Sequence, residues 1–143
     1  MIASYWLTNH RMVASFAALD TPTIVVHLSL LAAVVLLPFT TEAVGDPEVA
    51  DLPLPTVLMA VSIAAVSVLH TLVWVIANRR GLLDHKPTAA EHRTTLVGGL
   101  GPAAVFLISI PIAYLASPGV ARLSWLLLLV VNPVVGRLLV RRR

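Results

Sequence analysis

Four long apolar runs, with almost all charge confined to the links between them, leave this chain few ways to fold. The runs extend from Pro22 to about Phe39, from about Leu54 to Ala77, from about Leu96 to Leu115 and from about Leu123 to Val140. Each is close to the roughly 20 residues an α-helix needs to cross a bilayer core. Their apolar character is continuous rather than alternating, which argues against β-barrel strands. Only 12% of the 143 residues are charged and 58% are hydrophobic, so too little polar surface exists to cover a soluble fold. The expectation is an all-α integral membrane protein. It has one domain over residues 1–143, with four transmembrane helices at about 22–39, 54–77, 96–115 and 123–140.

Local signals sharpen the ends. Asp20 or Thr21 can cap the first helix, and Pro22 suits its first turn. Pro102, Pro111 and Pro133 mark expected kinks, with Asn132 beside the last. Glycines 98, 99 and 101 follow no strand and lack the lysine and hydroxyl of a phosphate loop, so they read as small residues that let helices approach. Before the first run, Ile2, Tyr5, Trp6, Met12, Val13, Phe16 and Leu19 recur at three- and four-residue spacing. This apolar stripe, interrupted by Asn9, His10 and Arg11, predicts a short amphipathic or partial helix over residues 1–20.

Charge sets the expected orientation. Arg79, Arg80, Lys86 and Arg93 lie between the second and third runs, and Arg137 and Arg141 to Arg143 lie at the C-terminus. The link between the first two runs holds Glu42, Asp46, Glu48 and Asp51 and no Lys or Arg; the last link holds only Arg122. The positive-inside rule then predicts a multi-pass cell-membrane protein with both termini cytoplasmic. Trp6 and Trp74 fall at the inner interface and Phe39, Tyr114 and Trp125 at the outer one. The net charge of +3 is explained by basic residues facing anionic lipid at the inner surface, with no nucleic-acid role. No secretory signal peptide is visible.

Two histidines stand inside the runs. His27 and His70 each lie roughly 8–10 Å below the inner surface at about 1.5 Å per residue. Ser67, His70, Thr71 and Trp74 share one helical face, which makes Ser67, His70 and Thr71 an intramembrane polar seam. Polar groups at this depth are costly, so they are functional candidates; the plainer account is interhelical hydrogen bonding. Asp84-His85 and Glu91-His92 are read as a solvated inner loop, since a zinc site needs three or four converging ligands. Glu91 is placed to cap or charge the approach to the third helix. No metal site, cofactor or enzymatic residue set is expected.

The segment Tyr5-Trp6-Leu7-Thr8-Asn9-His10-Arg11, then Asp20, then Leu36-Leu37-Pro38-Phe39-Thr40-Thr41, resembles the TMEM175 (DUF1211) family of potassium channels. In that family a tyrosine-tryptophan, a histidine pair and an arginine close the second helix. An aspartate opens the third, and a leucine-proline-phenylalanine step closes it. The resemblance maps the four runs onto the family's helices three to six. It departs at Asn9-His10, where the family has two histidines, and at His27, where it has asparagine. It implies a homo-oligomeric potassium channel subunit, with potassium as the permeant ion. Tyr5, Trp6, His10, Arg11, Asp20, His27, Pro38 and Phe39 would then serve in packing around the pore helix. The family's first, pore-lining helix has no counterpart in this stretch, so the expectation is a truncated or naturally short relative supplying scaffold helices. The alternatives are a non-conducting four-helix membrane protein that assembles with partners, and a small proton-coupled transporter using His27 and His70.

Overall fold

The computed structural model describes residues 20–126 and, before them, residues 7, 9, 10, 13, 14, 16 and 18. Tyr5, Trp6, Arg11 and the fourth run beyond residue 126, with Asn132, Pro133, Arg137 and the terminal arginines, lie outside the described residues. The described part contains three long helices, α1 (Thr21–Gly45), α2 (Pro53–Arg79) and α3 (Ala89–Leu115), and a short α4 (Pro118–Ser124). The three long helices are long and apolar enough to cross a membrane. Among the described residues there is no strand, only an isolated bridge between Phe16 and Leu83.

The helix ends follow from their caps. Asp20 accepts the Thr23 amide at 3.1 Å, and Pro22 stands in the first turn of α1. Pro53 and Pro55 open α2. That helix stops where Gly81 takes a φ of 67° and the Leu82 amide turns back to the Ala77 carbonyl at 2.9 Å. A left-handed residue of this kind is the usual helix stop, and glycine adopts it without steric cost. A capping box starts α3: the Glu91 amide donates to Thr88 Oγ1, and the Thr88 amide donates to Glu91 Oε2. Ser117 caps α4.

Two boundaries differ from the sequence expectation. Helix α1 does not end at the Leu36-Leu37-Pro38-Phe39 step but carries Pro38 inside it and continues to Gly45. Glu42 is therefore helical, not part of a link. Pro38 has no N–H to give to the Val34 carbonyl one turn back; just past it the Thr40 and Thr41 hydroxyls both donate to the Leu37 carbonyl, at 3.0 and 2.7 Å. Helix α3 begins seven residues before the apolar run, so Glu91 and His92 stand on its first two turns. Hydropathy marks where lipid begins; the capping box marks where the helix begins.

Helix α2 is the centre of the bundle. Within its most apolar window 44% is buried, against 17% for α1 and 22% for α3. Helix α1 packs on one side of it and α3 on the other, with α4 against α3 and α2. The side toward α3 is a stripe of small buried residues, Ala60, Ala64, Ser67 and Thr71, at four- and three-residue spacing. Opposite it lie Gly99, Ala103 and Phe106. A Cβ built on Gly99 would collide with Thr71 Oγ1, so glycine is the residue that fits this approach without a shift of the threonine. The core continues through Leu30 and Leu37 of α1 and Met59, Ile63, Val66 and Val73 of α2. The outer faces stay apolar and exposed, as in Leu28, Val35 and Phe39, in Leu58, Val68 and Leu72, and in Leu107 and Ile108. Exposed apolar faces of this extent fit contact with lipid tails or another membrane helix.

Candidate functional site

Polar side chains collect at the end of the bundle that holds Arg79, Arg80, Lys86 and Arg93. Asp20 makes two connections there. It caps α1, and its Oδ2 accepts from Arg80 Nη1 at 2.6 Å, joining the start of α1 to the end of α2. The Thr23 side chain above all, with the Thr23 amide and the Arg80 guanidinium, holds the Asp20 carboxyl below the ordinary carboxylate range, against an opposing desolvation. Thr23 Oγ1 itself is buried beside that carboxyl and stops short of hydrogen-bond geometry.

One turn above Thr23 on the same face comes His27. From the Asp20–Arg80 pair, His27 is seven residues along α1 and His70 ten residues back along α2. At about 1.5 Å per residue the two imidazoles differ in height by roughly 4–5 Å. Both are half-buried. His27 Nδ1 and His70 Nε2 are buried atoms with no hydrogen-bond partner among the described residues, as is Asn9 Oδ1. Leaving such an atom unpaired costs about 1–3 kcal/mol. The seam therefore keeps polar capacity that its own side chains do not use.

The rest of the seam is hydrogen-bonded. Thr71 Oγ1 donates to the Ser67 carbonyl at 2.9 Å, so this hydroxyl serves its own helix while it also faces Gly99. Trp74 packs against the His92 ring, with centroids 5.1 Å apart and planes tilted by 40°. Asn78 Nδ2 lies 3.4 Å from His92 Nδ1. His92 thus belongs to the α2–α3 interface. The solvated-loop reading of Glu91-His92 is corrected, because the capping box winds this segment into helix and turns His92 toward α2. His10 is helical and exposed, and Pro38 and Phe39 are exposed on α1, eleven and twelve residues along the helix from His27.

At the opposite end Arg122 was legible only as the one cation of a short link. Its guanidinium donates to the Ala50 carbonyl at 3.1 Å, to Val44 at 3.5 Å and, through Nε, to Pro118 at 3.2 Å. It ties α4 to the turn between α1 and α2. Trp125, expected at the lipid interface, instead donates Nε1–H to Ser109 Oγ at 3.0 Å and packs against Phe106 at 5.1 Å. Burial of Ser109 on α3 draws the indole inward to meet it. Phe39 and Tyr114 do remain exposed near that end.

Over the described residues, the class these observations define is an all-helical membrane-type fold with three membrane-length helices and a polar seam at its basic end. Compared with protein-family models, with curated proteins and with solved structures, the chain matches none.

Proposed function

We propose that the chain is a subunit of a TMEM175-like potassium channel, embedded in the cell membrane with its basic end cytoplasmic and assembled with further copies of itself. In this reading α1, α2 and α3 are scaffold helices against which a conducting helix packs. The observation that carries it is the pair of buried, unpartnered imidazole nitrogens on His27 and His70, at the basic end of helices whose outer surfaces are otherwise apolar. A polar atom at membrane depth is expensive, and a packing helix that bonds these nitrogens relieves the cost. The sequence resemblance supports the same assignment through Asp20, which caps α1. The weak burial of α1 leaves a face free for a neighbouring helix.

The test is potassium flux into liposomes holding the purified chain, beside a version carrying the sequence encoded immediately upstream. Flux with the longer version alone supports the scaffold reading. Flux with neither removes the channel reading and leaves a non-conducting membrane protein. A second reading, proton transfer through the His27–His70 seam, is favoured by the similar depth of the two histidines on neighbouring helices and by their unpartnered buried nitrogens. It requires proton flux from the short chain that His70→Leu abolishes.

A further inference from the structure

Arg79 and Arg93 are both exposed, and neither pairs with a carboxylate among the described residues, where Arg80 is the partner of Asp20. Their relative position follows from the α2–α3 register. Asn78 meets His92, and Thr71 meets Gly99 seven residues further along both helices, so the two helices keep one antiparallel register over this stretch. Arg79 and Arg93 each follow one member of the Asn78–His92 pair. The two guanidinium-bearing positions therefore sit within about 3 Å of each other in height. One residue turns about 100° around each axis, and in antiparallel helices these turns lead to the same side of the pair. Both arginines thus emerge on one side of the α2–α3 groove.

That side is apolar below them. Val61, Val68 and Leu72 share the helical face of Arg79, and Val97, Leu100 and Leu107 share the face of Arg93. All six are exposed. The arrangement is electrostatically unfavourable as it stands. Two like charges share one level, and Arg93, in the second turn of α3, gains nothing from the helix dipole. Helix polarity accounts for Arg79, in the last turn of α2, but not for Arg93.

We infer that the α2–α3 groove is a binding site for one anionic phospholipid of the surrounding membrane. Its headgroup phosphate lies between Arg79 and Arg93, and an acyl chain runs along Leu72, Val68, Leu100 and Leu107. Guanidinium forks match phosphate oxygens, and the apolar walls supply what a soluble phosphate would leave uncovered. The site depends on the chain lying in a bilayer and not on its conducting potassium, so it can fail or succeed independently of the channel reading.

The experiment is native mass spectrometry of the detergent-purified chain titrated with phosphatidylglycerol and, separately, phosphatidylcholine. The expected result is one preferentially retained phosphatidylglycerol. Each of Arg79→Gln and Arg93→Gln should weaken it about fivefold, from about 1 kcal/mol per basic residue near a membrane surface. Arg79→Lys/Arg93→Lys should keep most of the preference, and Lys86→Gln, in the neighbouring loop, should leave it unchanged. A second measurement survives poor folding of the arginine variants: in vesicles, the Leu100→Trp reporter should be quenched more by brominated phosphatidylglycerol than by brominated phosphatidylcholine. Equal quenching by the two lipids overturns the site. So does an unchanged preference in Arg79→Gln/Arg93→Gln, or an equal loss in Lys86→Gln, which would reduce the effect to diffuse charge.

Discussion

Replacing Gly99 by alanine tests the packing that holds α2 to α3. The added Cβ would collide with Thr71 Oγ1 and stand 3.2 Å from Thr71 Cβ. Rotating the threonine does not clear the space, because Thr71 is buried and its Cγ2 is already 3.6 Å away. Gly98 and Gly101 stand on the same helix with nothing within 4 Å of an added Cβ. The helix-propensity gain of about 0.8–1 kcal/mol from glycine to alanine applies at all three positions. Overpacking opposes it only at 99, by about 1–3 kcal/mol. Gly99→Ala should therefore unfold about 1–3 kcal/mol below Gly98→Ala and Gly101→Ala in a reversible denaturation series in mixed micelles. In a Thr71→Ala background the deficit should vanish, since the colliding atom is gone. If Gly99→Ala unfolds together with the two controls, the close approach of α2 and α3 at Thr71 is wrong.

Three further expectations rest on other parts of the bundle. The folded Asp20 carboxyl titrates below its ordinary value of 3.8, so its contribution is complete above that value and is lost as pH falls through the lower folded one; thermal melts from pH 7 down to pH 2 should show an acid-labile component that Asp20→Asn removes. Arg122→Gln should cost about 1–2 kcal/mol, because it deletes charge-assisted hydrogen bonds to backbone carbonyls, and should speed amide exchange in residues 44–52; unchanged exchange there would separate Arg122 from the turn. His70→Leu removes a buried nitrogen without breaking a bond among the described residues, so stability should stay level or rise by about 1 kcal/mol. A loss larger than that would mean the imidazole is bonded in the native protein.

Length and apolarity alone predicted the three long helices, and capping chemistry the start of α1. An uninterrupted apolar run of this size has no other way to satisfy its backbone in lipid, and Asp20 with Pro22 announces the start of α1 locally. The polar face of Ser67, His70, Thr71 and Trp74 was also legible, because polar residues among apolar ones reveal their helical phase. Elsewhere the phase was silent. Lipid tails and a protein core both favour apolar side chains, so nothing in the string separates Val66, which is fully buried, from Val68, which is exposed. For the same reason hydropathy placed the start of α3 at Leu96, while Thr88 and Glu91 wound it seven residues earlier.

What only the tertiary structure decided is the register between helices. Asp20 and Arg80 are sixty residues apart, as Arg122 is far from Ala50, and no local spacing announces either pair. The antiparallel register of α1 on α2 sets His27 near His70, and that of α2 on α3 sets His92 beside Trp74 and Arg79 level with Arg93. Sequence by itself determined that this chain makes membrane-length helices and which polar residues they carry. Packing determined which of those residues meet, because steric fit at small residues such as Gly99 fixes how far one helix slides along another.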